Sequence, residues 1–225
     1  QRQMCIRDRF DSIKFFEFNN LHHEHISYGT LNDNDGNPFK TRDGGTKPLS
    51  ELFEETYEYI KNINSDLEDS IIKQLANSVL TFSDLITNRK TDYKFDLEKF
   101  TNVNGKTGIY VQYAQVRAKK LQKSISEQKN EMESIVLSDV DKQLLSQLFM
   151  FGYFLEQSSS LNEPHHLANY LYDISNSFNQ FYEHEKLSEI KDINHLSSKL
   201  YLINLFLTTS ENVMFCLGMK PVDKM

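Results

Sequence analysis

The chain predicts a mainly α-helical fold, in which a short strand-and-loop segment precedes a helical bundle, and three patterns predict it. Leu167, Leu171, Ile174, Phe178 and Phe181 recur at alternating four- and three-residue intervals, the seam of a helix packed among others. From Gly108 to the end, apolar residues keep helical spacing between polar turns, which gives a bundle of about four or five helices. Alternation with period two is confined to the start, in Ile13–Phe18 and His25–Tyr28, which read as two strands separated by Asn19-Asn20.

Taken in order, residues 1–9 are set aside, because Met4-Cys5-Ile6-Arg7-Asp8-Arg9 resembles translated sequencing-adapter read-through. The two strands feed a loop, Asn34 to Gly45. After it, Leu49, Leu52, Phe53, Thr56, Ile60 and Ile63 form a helical stripe, with Ser50 as N-cap and Glu51, Glu54 and Glu55 near the positive end of the helix dipole. A second helix opens with a capping box, Ser65 and Glu68, and buries Leu67, Ile71, Leu75, Val79 and Phe82. Thr87–Lys106 has no sustained period and reads as a connector. In the first bundle helix Ile109, Tyr113, Val116 and Leu121 share a face. One helix then carries Val140 through Leu155 up to the serines 158–160, and the last carries Leu196 through Leu217 and stops at Gly218.

At 225 residues the chain can bury the core of one large domain or two small ones. The longest strongly apolar run, Leu148–Leu155, is far too short to span a bilayer as a helix, no secretory segment opens the chain, and Cys5 and Cys216 offer no disulfide framework. These features fit a reducing cytoplasm or an organelle matrix; a cytoplasmic protein without a membrane partner is expected. Net charge is -7, yet between Arg89 and Lys123 nine basic residues face three acidic ones, a strip interleaved with Tyr93, Phe95, Tyr110 and Tyr113. That composition suits a surface that takes phosphates and stacks bases, and equally a solvated helix face.

Within the loop, Gly36, Gly44 and Gly45 allow backbone amides to approach an anion while Lys40 and Arg42 supply charge; a solvated turn has the same composition. His22, His23, Glu24 and His25 invite a zinc reading, and so a metal hydrolase. Three histidines in four positions of a strand splay to both faces, so no metal site is expected there.

His22-His23-Glu24-His25-Ile26-Ser27-Tyr28-Gly29-Thr30 with Pro38-Phe39-Lys40-Thr41-Arg42-Asp43-Gly44-Gly45 resembles the signature loop of arginyl-tRNA synthetases, which stands where other class I synthetases carry Lys-Met-Ser-Lys-Ser. Three further blocks resemble that family in order: Thr87–Asp96, Gly105–Ala114 and Tyr170–Asp173. The resemblance covers about residues 10–225. It implies the end of a class I Rossmann-type catalytic domain with a stem-like connector over 10–106 and an all-α anticodon-binding domain over 107–225.

The activity implied is ATP-dependent attachment of arginine to its tRNA, by a monomer, with Mg2+ accompanying the nucleotide. Lys40, Thr41 and Arg42 take the catalytic phosphate-side positions, and either Lys40 or Thr41 occupies that of the second lysine. His25, Gly29, Phe39, Gly44 and Gly45 fall at the ATP, with Asn37 where many relatives have a further lysine. Arg89 and Tyr93 face the inner side of the tRNA. Tyr110, Gln112, Tyr113 and Arg117 match the pattern Tyr-x-Gln-Tyr-Ala-x-x-Arg, although Ile109 replaces the usual Pro. Gln112 is placed to meet a base edge, the tyrosines to stack on bases, and Arg117 to hold phosphate; Tyr172 and the tail ending in Met225 join the anticodon pocket, while Phe178 is expected in the core. No His-Ile-Gly-His-like motif is present, so the chain is expected to be inactive alone, and a stand-alone tRNA-binding module is the alternative reading.

Overall fold

A computed structural model of the chain describes residues 2–16, 23–32, 48–94, 96–125 and 134–225. Its elements in order are α1 (Arg2–Phe15), β1 (Leu31–Asn32), α2 (Leu49–Ile63), α3 (Asp69–Leu85), β2 (Tyr93–Lys94), α4 (Leu97–Phe100), α5 (Gly108–Ile125), α6 (Asp139–Leu148), α7 (Phe151–Ser160), α8 (His165–His184), a 3-10 turn at Leu187–Glu189, and α9 (Ile193–Cys216). Among the described residues, sheet is confined to β1 and β2, which pair in parallel with Leu31 opposite Tyr93 and Asn32 opposite Lys94.

The mainly helical expectation holds, but several local expectations do not. Ile13–Phe15 belongs to α1 instead of a strand, and 25–28 has no regular secondary structure; parallel strand β1 forms later, at Leu31–Asn32. A short alternating run forms a strand only when an edge is available to pair with, and here that edge is β2, 62 residues away. Pro48, not Ser50, is the N-cap of α2: its fixed φ of -60° suits the position before a helix. α3 begins at Asp69 after Glu68, and no capping box forms at Ser65. The capping box is at α6, where Ser138 and Asp141 bond reciprocally. The helix expected over Val140–Leu155 is two, broken at Phe149–Met150, where the hydroxyl of buried Tyr170 donates to the carbonyls of Gln147 and Leu148 that close α6.

The bundle core is built by α5, α6, α8 and α9 around Leu144, Leu171, Ile174, Phe178, Ile203 and Phe206, all fully buried, with the rings of Phe178 and Phe206 stacked 4.2 Å apart. α3 crosses the boundary expected at 106/107: its Phe82 enters this core, while its Ile72, Leu75 and Val79 join Ile109, Val116 and Val222 in a second cluster. The α3–α5 crossing is close because Gly108 has no side chain, and a Cβ there would stand 2.2 Å from the Ser78 carbonyl oxygen. One fully buried ion pair, Lys199 to Asp141 at 2.8 Å, ties α9 to the capping box of α6. No helix among the described residues is long and apolar enough to cross a membrane.

Candidate nucleic-acid interface

Two matched stripes run side by side on α5 and α8. Lys106, Tyr110, Tyr113 and Arg117 recur at intervals of four, three and four, and so do Tyr172, Asn176, Asn179 and Glu183. Helical spacing puts Tyr110, Tyr113 and Arg117 on one face of α5 and the second set on one face of α8, with Lys106 in the bend just ahead of α5, and the pairing advances in the same direction along both helices. Lys106 Nζ stands 5.1 Å over the Tyr172 ring, Tyr110 packs on Tyr172 at 5.2 Å and donates to Asn176 at 3.3 Å, and Arg117 donates to Asn179 at 3.0 Å. Arg117 also lies between the rings of Tyr113 and Tyr182, at 4.3 and 4.8 Å, and reaches Glu183 at 3.9 Å.

The result is a pre-ordered strip of aromatic faces and cations. Tyr110, Tyr113 and Tyr172 are half-buried, which fixes their rings while leaving an edge or face open. Burial and the neighbouring Tyr110 and Asp173 raise the pKa of Tyr172, so it remains a neutral stacking surface at any physiological pH. The structure thus brings Tyr110, Tyr113, Arg117 and Tyr172 together as anticipated. Lys106, Asn176, Asn179 and Tyr182 complete the strip and were not singled out as site residues. The recurrence of the same spacing on two helices is the signal that could have found them.

Gln112 is placed differently. Its side chain is fully buried, with Nε2 donating to Ser78 Oγ at 2.8 Å and to the Lys220 carbonyl at 2.7 Å, while Oε1 accepts from Val222 N at 3.0 Å. Both ends of the amide are used, so it cannot meet a base edge; it fastens the C-terminal tail across α3 and α5 instead. The tail is held further by Lys119 to Asp223 at 2.7 Å and by Lys224 to Glu68 at 2.7 Å, and Met225 packs against the second cluster.

A junction joins the segment 23–32 to the bundle. Arg89 donates from Nε to the Asn162 carbonyl at 2.9 Å and from its guanidinium to the Ser27 carbonyl, and Asn162 donates to Glu24 at 2.9 Å. Tyr93 donates to Asp84 at 2.6 Å, and burial with that carboxylate pushes its pKa up. Asp92 accepts from Thr30 N at 2.6 Å, a contact that spans 62 residues of sequence. Arg89 and Tyr93 are therefore engaged within the protein. Much of the basic strip is likewise spent on internal struts, Lys90 on Glu163 at 3.0 Å and Lys119 on Asp223 among them.

Gly29 accepts no side chain, because a Cβ would stand 2.5 Å from the Thr91 carbonyl oxygen. With Tyr28 it lines a cavity of about 690 Å³ bounded by Leu52, Phe53, Asn88 and Tyr93. His25 is exposed. Phe39, Lys40, Thr41, Arg42, Gly44 and Gly45 lie outside the described residues, as does His22.

Residues 111–225 match the family model of the DALR anticodon binding domain, and residues 1–97 match that of the catalytic domain of class I (R) tRNA synthetases. An arginine–tRNA ligase of Francisella tularensis subsp. novicida is 37% identical over 178 residues, covering 75% of this chain and 31% of the relative. That of Alcanivorax borkumensis is 34% identical over 211 residues, covering 89% and 36%. Among solved structures, the Thermus thermophilus arginyl-tRNA synthetase superposes with a TM-score of 0.77 at 21% identity, over 89% of this chain and 35% of that one. The Plasmodium falciparum arginyl-tRNA synthetase gives 0.75 at 23% identity, over 100% and 40%. The chain spans about a third of the length of the curated relatives it matches.

Proposed function

Because the chain belongs to the DALR anticodon binding domain family and carries ahead of that domain the matching part of a class I (R) tRNA synthetase, we propose that it serves an arginine–tRNA ligase, supplying the phosphate-side loop and the anticodon-reading bundle. The observation that supports this most directly is the pair of matched stripes on α5 and α8. Single-stranded RNA bases are recognised by stacking on aromatic rings and guanidinium planes, and the strip offers both in fixed positions. Tyr110, Tyr113 and Tyr172 would stack splayed anticodon bases. Arg117, flattened between two rings, would present its remaining N–H edge to phosphate or base. Gln112 acts indirectly, by fastening the C-terminal tail across α3 and α5.

In the reaction, arginine attacks ATP to give arginyl adenylate and pyrophosphate, and the arginyl group then passes to the terminal ribose of the tRNA. Mg2+ enters with the nucleotide. Lys40 and Arg42 of the loop would meet the charge that develops on the departing phosphates, an interaction stronger in the transition state than in the ground state. Gly29 and His25 would border the adenosine. The reaction and the charged loop fit a cytoplasmic setting where tRNA and ATP are supplied.

The test is binding of the chain to an arginine tRNA transcript and to the same transcript with its central anticodon base changed, at one fixed salt concentration. We expect the exchange to weaken binding about tenfold, or about 1.4 kcal/mol. Replacing Tyr172 by Ala should cost about 1–3 kcal/mol on the native transcript, the range for loss of one stacking platform. Equal binding of the two transcripts would remove anticodon reading from the bundle. Arginine-dependent ATP–pyrophosphate exchange by the chain alone should be absent.

A further inference from the structure

Away from the tyrosine strip, the described residues hold a cluster of potential metal ligands at the turn from α7 to α8. Glu163, His165 and His166 each offer one ligand atom, and the three atoms lie within 4.8 Å of one another. The turn that gathers them is built by Asn162 in a left-handed conformation, φ 52°, and by Glu163 N donating back to the Ser158 carbonyl at 3.0 Å. The two imidazole rings then sit 4.1 Å apart, tilted by 35°.

Three observations give this cluster the character of a site. His166 Nε2 stands 3.4 Å from Glu163 Oε2 without a hydrogen bond between them. Two ligands each about 2.0–2.1 Å from a tetrahedral zinc ion are separated by about 3.3–3.4 Å, so this pair already spans one edge of such a site. Second, His165 Nδ1 and His166 Nε2 are shut off from solvent and have no hydrogen-bond partner among the described residues. A buried polar nitrogen without a partner calls for an explanation, and a bound ion is one. Third, Lys90 engages Glu163 through Oε1 at 3.0 Å, which leaves Oε2 facing His166.

We propose that Glu163, His165 and His166 bind a divalent cation of the zinc class. Two imidazoles and one carboxylate match the preferences of zinc and disfavour magnesium and calcium, which take oxygen ligands. Lys90 and the nearby Arg89 add positive charge, which keeps the site weaker than a structural zinc site with thiolates. The ion would lock the Asn162–His166 turn, on which Arg89, Glu24 and Lys90 converge, and so stiffen the junction between segment 23–32 and the bundle.

The experiment titrates zinc chloride into the full chain by calorimetry, in a background where His22, His23 and His25 are all replaced by Ala to remove the other histidine cluster. We expect one ion per chain, at least tenfold weaker binding in His166→Ala and in Glu163→Gln, and severalfold tighter binding in Lys90→Met, where the carboxylate loses its competing cation. Cobalt(II) should give the intense visible absorption of tetrahedral coordination. Thermal melts without metal establish that each variant is folded, and the two loss variants are independent of one another. Failure of the background protein to take up zinc, or uptake indifferent to both His166 and Glu163, overturns the proposal.

Discussion

The bundle and the segment that precedes it are held by different forces. α5, α6, α8 and α9 share a dry core of large side chains, whereas residues 23–32 reach the rest of the protein through a handful of polar contacts centred on Arg89 and Asp92, with most of their side chains exposed. Apolar burial contributes about 25 cal/mol per Å² and is cooperative across a core, while exposed hydrogen bonds open locally at little cost. A region that must hold anticodon bases in register belongs in the first category. One that leads into a loop expected to move around phosphates belongs in the second. C-terminal residues 219–225 stand between the two regimes, held by a buried amide and by surface ion pairs.

The sharpest way to break the comparison is to attack the bundle at its buried ion pair. Lys199→Met leaves Asp141 fully buried with its principal cation gone, and the loss of one member of such a pair costs about 3–5 kcal/mol. We expect the urea midpoint of the whole bundle to fall, with the fluorescence and far-ultraviolet transitions moving together. An unchanged midpoint would mean that Asp141 is held by the backbone N–H of Ser138 in the capping box without need of Lys199.

A smaller and more local effect is expected at the tail. Gln112→Leu keeps the volume but strips the partners of Ser78 Oγ, the Lys220 carbonyl and Val222 N, about 1–3 kcal/mol for polar groups left unsatisfied. Carboxypeptidase should then trim the chain from Met225 far faster than it trims the parent, and affinity for the tRNA transcript should fall although Gln112 touches no RNA. Continued protection of the tail would show that Lys119 and Lys224 suffice to hold it.

These contrasts also mark what the sequence could tell. The stripes of α3 and α8 were legible because burial on one face writes a 3.6-residue period into the chain, and Ile71, Leu75, Val79, Leu171 and Phe178 are buried accordingly. The resemblance located the strip residues Tyr110, Tyr113, Arg117 and Tyr172. It misplaced Gln112, because a glutamine that fastens a tail and one that reads a base are the same letter, and the difference lies in backbone groups more than 100 residues away. The β1–β2 pair was illegible for the same reason: a two-residue strand has no periodicity, and its partner is fixed by Asp92, Gly29 and the close approach at Thr91.

The smallest expected effect sharpens the other side of the comparison. Asp92 accepts from the backbone N–H of Thr30, and this bond holds its carboxyl below the ordinary value of 3.8. A carboxyl whose folded pKa is depressed contributes stability that is present above its unfolded pKa and is lost as the pH falls through the folded value. Acid should therefore loosen the contact between 23–32 and the connector while the bundle keeps its core. Amide hydrogen exchange at Thr30, corrected for the intrinsic pH dependence, should quicken as the pH falls below the ordinary carboxylate value of 3.8, while Ile174 in α8 stays protected. Asp92→Asn retains an acceptor oxygen without a titrating proton, so the same step should vanish in that variant. If the acid opening persists with Asn at this position, another group governs the junction, and the polar attachment of the segment does not rest on Asp92.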